Sequence, residues 1–418
     1  MPAERLPELF DPTLVYREMG LLTDNGPLGV IGNARILAGS SRDSLQVIVG
    51  LSMRNRGLTF QRQGEEFVAE YQADVALKRG NTVVSRTQRD ERVRVSSFRE
   101  TQRADESIIF QSFVTAAPGD YVLDISIRDR NGANASHVET PISVPSLQSS
   151  AVALPISVYQ ATPRTSLTEQ PALVMNPRIA VDYGVDTLHF YVETYNAAAG
   201  SKMTLEAVDG TGHTSWLDTL RIDSLRPVAG FVVSIPPATL SIGRYELHLS
   251  QGGNVMAETP FLVAFSDQYA AGNLQDIVSL LRYFAPPDTL KALLNAPPEE
   301  RGAAWLHFWK STDPNPATPE NEGIEEYLHR VQIANERFRD EGVPGWLTER
   351  GEVFITIGEP SEILDRRADT QGRGRFIQWT YYDLRLTLTF FDDTGFGRFR
   401  LDPRSRSEFQ HVSNRQRM

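Results

Sequence analysis

From Leu28 to about Val144, apolar residues recur at every second position. Leu45, Val47, Val49, Leu51 and Met53 alternate with Gln46, Ile48, Gly50 and Ser52, and Tyr71, Ala73, Val75 and Leu77 alternate with Gln72, Asp74 and Ala76. Successive side chains on a strand point to opposite faces, so a period of two predicts strands with one packed face. The clearest strand follows Pro118-Gly119-Asp120. Tyr121, Leu123, Ile125 and Ile127 share one face, and Asp124, Ser126 and Arg128 share the other, which predicts core on one side and water on the other. Asn131-Gly132 is hairpin-turn chemistry, and 141–144 is the return strand. Short strands spaced by Gly, Asn and Asp turns predict an antiparallel sandwich over 28–145.

The pattern then repeats. Ile242-Gly243-Arg244-Tyr245 opens a strand with Tyr245, Leu247 and Leu249 on one face, Gly252-Gly253 turns it, and 261–263 returns. The shared Gly-x-Tyr-x-Leu hairpin is an internal repeat at domain scale and predicts a second sandwich over 151–265, with further strands at 188–192, 203–208 and 231–235.

Near residue 267 the period changes to 3.6. Leu274, Ile277, Val278 and Leu281 fit one helical stripe; Leu290, Leu293 and Leu294 fit a second after Pro286-Pro287; Trp305, Phe308 and Trp309 fit a third that starts at Pro297-Pro298. Thr318 followed by Pro319 predicts the start of a longer helix with Ile324, Tyr327, Leu328, Val331 and Phe338 on one stripe, stopped by Gly342, Pro344 and Gly345. Strands are expected at 353–357, 376–382, 386–391 and 398–401, with a turn at Asp392-Asp393-Thr394-Gly395 and a polar, mobile stretch over 365–374. A short helix is expected over 12–22. The fold class is therefore multidomain and mainly β: two immunoglobulin-like antiparallel sandwiches followed by an α+β domain of helices and a small antiparallel sheet. The expected boundaries are an N-terminal segment 1–27, sandwiches 28–145 and 151–265, an α+β domain 267–402 and a frayed, solvated tail 403–418.

Composition narrows the function classes. Net charge is −11, so the chain as a whole lacks the basic footprint of a nucleic-acid binder. No apolar run approaches the length of a membrane span. Met1–Phe10 has neither an apolar h-region nor an Ala-x-Ala site, so no signal peptide is expected there. With no cysteine there is no disulfide, zinc-thiolate site or thiol nucleophile. No Gly-x-Ser-x-Gly, P-loop, His-Glu-x-x-His or Gly-x-Gly-x-x-Gly is present, and no cofactor is indicated. Glu326-x-x-His329 has the spacing of a carboxylate–histidine metal pair, but it has no second pair and falls opposite the apolar stripe, as His307 falls away from the Trp305–Trp309 face. No metal site is expected.

One segment resembles a known family. Phe308-Trp309 with Thr312-Asp313-Pro314, Thr318-Pro319 with Asn321-Glu322, Ala334-Asn335-Glu336, Gly345-Trp346-Leu347-Thr348, Arg350-Gly351, Gly358-Glu359-Pro360, Trp379 with Tyr381, and Asp393-Thr394-Gly395-Phe396-Gly397 together resemble the GWxTD domain family over about 273–402. Glu349 stands where the family motif has Asp. The resemblance implies a bacterial domain with no assigned reaction, in proteins that often look exported, and on that ground alone an extracytoplasmic location and a protein or cell-envelope partner are expected.

The candidate site is the corner after the long helix: Asn335, Trp346, Thr348, Glu349 and Arg350, with Trp379 from the sheet. As structure, Trp346 plugs the seam between helices and sheet, while Thr348 and Glu349 bond free backbone amides. As function, the corner offers an aromatic floor and a carboxylate–guanidinium pair. Counting 100° per residue from Ile324 places Asn335 near the centre of the apolar stripe, where an amide must be hydrogen-bonded. Two readings follow: a non-catalytic interaction or scaffold protein with an aromatic patch near Trp346 and Trp379, or a hydrolase-like enzyme with its site at Asn335, Trp346 and Glu349.

Overall fold

The computed structural model describes residues 12–41, 44–101, 107–146, 151–183, 187–223, 226–264, 274–316, 321–339, 343–367, 375–392, 395 and 397–416. The chain divides into two compact units. Among the described residues, one holds 12–264 with 298–303, and the other holds 274–297 and 304–416.

In the first unit, α1 (Pro12–Glu18) leads into β1 (Leu22–Asp24), so the expected helix stops short of Leu22 and the N-terminal segment joins the sandwich. β2 (Val30–Ser41), β3 (Ser44–Arg54) and β7 (Ser107–Ala116) complete a sheet of order β1-β2-β3-β7. The facing sheet contains β4 (Gln61–Gln63), β5 (Glu66–Arg79), β6 (Thr82–Val95), β8 (Gly119–Asp129) and β9 (Ala135–Val144), with β5 central, and a single helical turn, α2 (Phe98–Thr101), comes between β6 and β7 in the chain. Val47, Val49, Leu51, Ala73, Val75, Leu77, Leu123 and Ile127 are completely buried between the two sheets. The second sandwich pairs a sheet of β10 (Ala151–Val152), β11 (Ile156–Thr162), β12 (Ala172–Met175), β14 (Leu188–Tyr195) and β17 (Val228–Ile235) with one of order β13-β19-β18-β15-β16. The latter strands are β13 (Ala180–Asp182), β15 (Lys202–Asp209), β16 (Thr214–Arg221), β18 (Gly243–Gln251) and β19 (Asn254–Ala264). Phe261 joins the two sheets, edge-on to Phe190 at 5.6 Å and stacked on Tyr245 at 5.2 Å.

The repeated Gly-x-Tyr-x-Leu hairpin has a structural cause. Gly119 and Gly243 open β8 and β18 at φ 144° and 152°. Two residues later the Tyr121 hydroxyl donates to the Ala117 carbonyl at 2.9 Å, and the Tyr245 hydroxyl accepts from the Ser241 amide at 2.9 Å. A buried tyrosine tied to backbone four residues upstream is the tyrosine corner of immunoglobulin-like sandwiches, and it appears once in each.

The sandwiches are not independent. The alternation in β3 predicts one wet face, yet Ile48 and Ser52 on that face are also buried. Leu37 and Ile48 pack with Ile156, Val158, Met175, Tyr191, Tyr195 and Val228 of the second sandwich. Gly50 permits the approach: a Cβ there would stand 3.2 Å from the Met175 Cβ. Beside this cluster lies a buried ion pair. Arg164 donates to both oxygens of Glu193, at 2.6 and 2.9 Å, and its remaining N–H groups reach the carbonyls of Glu169 (2.9 Å) and Ala38 (2.5 Å). Tyr191 and Tyr195 donate to the same carboxylate at 2.6 and 2.7 Å. Every group is satisfied, which is the condition under which a buried charge pair is tolerated.

In the second unit, α3 (Leu274–Leu280) carries the first expected stripe, and α4 (Pro287–Asn295) and α5 (Pro298–Thr312, whose residues 298–303 group with the first unit) begin as the proline pattern predicts. α6 (Glu322–Arg337) is capped by Asn321, whose side chain accepts from the Ile324 amide. Thr318, the expected cap, lies outside the described residues. A strand was expected at 353–357; the structure has a helix, α7 (Glu349–Ile357). Val353, Ile355, Thr356 and Ile357 favour strand by propensity. The Thr348 cap, Glu349 and Glu352 in the first turn, and Gly358 at φ 85° after the last residue override it. A four-stranded antiparallel sheet follows: β20 (Glu362–Arg367), β21 (Arg375–Tyr381), β22 (Leu386–Asp392) and β23 (Arg400–Leu401). β20 takes up the start of the stretch expected to be mobile; 368–374 lie outside the described residues. The expected frayed tail is a helix, α8 (Pro403–Gln416). Asp402 caps it, accepting from the amides of Arg404 (3.0 Å) and Ser405 (3.2 Å), and Ser405, Phe409 and Ser413, spaced by four, form its buried face.

Candidate functional site

The corner at 345–351 is built by close approach of backbone. A Cβ on Gly345 would meet the Ala334 carbonyl oxygen at 2.2 Å, and one on Gly351 would meet the Gly345 carbonyl oxygen at 2.0 Å. Only glycine lets the end of α6, the turn at Gly345–Leu347 and the start of α7 touch in this way. Thr348 locks the arrangement: its hydroxyl accepts from the Gly351 amide at 2.9 Å and donates to the Gly345 carbonyl at 2.8 Å.

The indoles are inside. Trp346 and Trp379 are each 2% exposed. Trp346 meets Tyr283 edge-on at 6.5 Å, and Trp379 packs between Phe338 (5.3 Å) and Phe390 (4.8 Å). The Trp346 indole N–H has no acceptor among the described residues; at about 1–3 kcal/mol this costs no more than the about 3–5 kcal/mol that burying the ring contributes. An exposed aromatic patch at these two residues is therefore not what the structure has.

Glu349 is committed as well. One oxygen accepts from the Leu401 amide at 2.5 Å, and the other pairs with Arg406 of α8. Both carboxylate oxygens thus tie α7 to β23 and α8. The Arg350 guanidinium lies over the Phe399 ring at 4.4 Å and the Phe338 ring at 5.6 Å rather than on Glu349. Asn335 is half-buried instead of central, because the buried stripe of α6 runs through Ala334; its backbone carbonyl accepts from Arg339 at 3.1 Å. The sequence thus brings Trp346, Thr348, Glu349 and Arg350 into one corner, but as packing, cap and tether. Glu326 and His329 are exposed, with Glu326 paired to Arg330 at 2.8 Å.

Asn321 is fully engaged in hydrogen bonds. It is completely buried, caps Ile324 at 3.0 Å, and donates to the Trp309 carbonyl at 2.8 Å and the Thr312 hydroxyl at 3.1 Å, joining α5 to α6. Its place in the motif Thr-Pro-Glu-Asn-Glu was the only signal for it.

A recess of mixed chemistry lies on the other face of the sheet. A groove of about 820 Å³ runs between β22 and α8. Leu384, Phe391 and Val412 give it an apolar strip, and Gln378, Thr387 and Thr389 give it hydrogen-bonding groups. Leu384 and Phe391 are 39% and 40% exposed. Arg385 stands at one end with φ 49°, a left-handed backbone conformation that a non-glycine residue adopts at a cost of about 1–2 kcal/mol. Among the described residues no carboxylate pairs with it. Arg404 on the rim pairs with Glu408 at 2.9 Å. Asp402 is occupied by the cap: burial raises its pKa, but bonds from Ser405 and the Arg404 amide outweigh that and hold it below the ordinary carboxylate value. Residues 361–418 carry 11 Arg against 8 Asp and Glu, a net +3, whereas the first 360 residues carry −14 of the total −11.

Within the described residues, no helix is long and apolar enough to cross a membrane. No curated protein matches the chain. Solved structures with which it aligns include the BSP domain of a biofilm-associated protein (10% identity, TM-score 0.18, 60% of this chain and 55% of that one). A transglutaminase of red sea bream aligns at 11% identity and TM-score 0.17 over 60% of this chain and 33% of that one. An adhesin of Mobiluncus mulieris aligns at 9% identity and TM-score 0.15 over 53% and 80%. The chain spans about half the length of the first of these and a third of the second. Residues 247–394 match the GWxTD domain, so the match starts inside β18, and its name-giving residues are the corner described above. The C-terminal third of this chain, residues 247–394, carries a GWxTD domain.

Proposed function

We propose that this chain is a non-catalytic interaction or scaffold protein of the bacterial cell envelope, and that its GWxTD domain binds an extended acidic segment of a protein partner in the groove between β22 and α8. The observation that carries the reading is Arg385: a guanidinium held at a strained backbone position, with no carboxylate paired to it among the described residues, at the end of an exposed apolar strip. Strain of this kind is kept where the rest of the fold over-determines it, and such positions cluster at binding sites. The net positive charge of this segment on an acidic chain favours a negatively charged occupant. An alternation of acidic and apolar residues fits, because an extended peptide presents alternate side chains to strip and rim. The envelope location rests on the family resemblance, and fractionation of native cells tests it separately.

The binding test is fluorescence anisotropy of the full chain with a labelled peptide of alternating Glu and Val. Saturable binding that weakens with added salt is expected. Arg385→Glu should weaken it by about tenfold or more, because like charges then face each other, and a Lys–Val peptide should not bind. Equal affinity for both peptides, or no effect of Arg385→Glu, would remove the groove from consideration.

A further inference from the structure

A second, unrelated cluster lies on the outer face of the second sandwich. Glu246 and His248 are two apart on β18 and so share a face, and Glu258 on β19 stands directly across from His248. One donor atom from each of the three lies within 4.8 Å of the others. His248 Nε2 is 3.2 Å from Glu246 and 4.0 Å from Glu258. On the opposite side of β18, the residue of β15 paired with His248 is Glu206. One imidazole is thus bracketed by carboxylates on both neighbouring strands and on its own.

The first sandwich answers its surface carboxylates differently. There Glu70 pairs with Arg92, Asp74 with Arg86, Asp124 with Lys78 and Glu66 with Arg94. Like charges placed side by side across a sheet are destabilising. Yet no Lys or Arg pairs with Glu206, Glu246 or Glu258 among the described residues: Arg244, two residues before Glu246 on the same face, is paired with Glu18, and the side chain that Glu246 and Glu258 share is His248.

We infer that Glu246, His248 and Glu258 form a binding site for a divalent transition-metal ion such as Zn²⁺, with Glu206 as a further carboxylate at its edge. The donor set decides the class of ion. Imidazole with carboxylate suits zinc and its first-row neighbours, whereas calcium and magnesium favour oxygen donors throughout. Bonds of about 2.0–2.2 Å to each donor require the three to close to roughly 3–4 Å of one another, a change that rotation of two exposed glutamate side chains supplies. The strands hold the Cα positions, so the site needs no folding step.

The test is isothermal titration of the full chain, purified without a polyhistidine tag, with zinc chloride. One equivalent should bind, and His248→Ala and Glu258→Gln should each weaken binding by about tenfold or more. His329→Ala, an exposed histidine on α6, should leave it unchanged, and calcium should not compete. Glu258→Gln keeps the side-chain shape, so it remains informative if His248→Ala perturbs the strand. Selective broadening by Mn²⁺ of the ring resonances that disappear in His248→Ala is a second, independent readout. The inference is overturned if no zinc binds at millimolar concentration, or if binding is the same in His248→Ala and Glu258→Gln as in the natural chain.

Discussion

Replacing Glu193 by Ala should be among the most damaging single changes in the first unit. The carboxylate is completely buried and accepts four hydrogen bonds, two from Arg164 and one each from Tyr191 and Tyr195. Its removal leaves a guanidinium that is 2% exposed with only the Glu169 and Ala38 carbonyls for company. Breaking one side of a buried ion pair costs about 3–5 kcal/mol, and the two orphaned hydroxyls push the loss toward the upper end. That is a large fraction of the about 5–15 kcal/mol that holds a typical domain folded. Burial and the neighbouring carboxylate both raise the pKa of each tyrosine; burial pulls the Arg164 pKa down, but the bond and charge of Glu193 together with the two tyrosines outweigh it and leave it raised. The network therefore keeps its protons well into the alkaline range. Urea unfolding followed by far-UV circular dichroism measures the loss, and a double-mutant cycle with Arg164→Met and Glu193→Leu isolates the pair. The double variant should be more stable than either single one, since replacing a whole buried pair by apolar groups is often neutral. Single losses under about 1 kcal/mol, or simple additivity, would show that the pair does not join the sandwiches as described.

Gly345→Ala should destabilise the GWxTD domain by several kcal/mol, because the new Cβ meets a backbone oxygen that cannot yield; thermal unfolding of the variant against the natural chain reads it. Asn321→Ala should cost about 2–3 kcal/mol, combining a lost cap with two unsatisfied groups on α5, and hydrogen exchange should show the first turn of α6 opening. The Asp402 cap is acid-sensitive. Its folded-state pKa is depressed, so its contribution is present above the ordinary carboxylate range and is lost as pH falls through the depressed value. Amide exchange at the start of α8 should therefore accelerate in acid, and Asp402→Ala, which costs about 1 kcal/mol near neutrality, should differ little from the natural chain at low pH.

The strand periodicity of the sandwiches was legible because each strand has a face of its own to bury. Tyr121, Leu123, Ile125 and Ile127 needed no tertiary information. What could not be read was a second burial event on the same strand: Ile48 and Gly50 look like the wet face of β3 until another sheet packs there. The same blindness explains 353–357. Val353, Phe354 and Ile355 are consecutive and buried, so no helical stripe shows, and the deciding signal was the Thr348 cap. At the tail, Ser405, Phe409 and Ser413 make a narrow buried face in a polar sequence, too weak a pattern to separate from a frayed end. Trp346, Thr348, Glu349 and Arg350 are close in sequence and share one corner, but their chemistry depends on partners far away in sequence: Leu401 and Arg406 for Glu349, Phe399 for Arg350. Glu206, His248 and Glu258 come together only through strand register, which no linear spacing encodes.

The most direct test of the account is site-specific photo-crosslinking in native cells, with a photoreactive phenylalanine analogue at Phe391 in the groove and, separately, at exposed Val83 on the first sandwich. The account predicts a discrete adduct with an acidic protein from position 391, diminished by Arg385→Glu, and none of that mass from position 83. The same adduct from both positions, or one from 391 that is indifferent to Arg385, would contradict it.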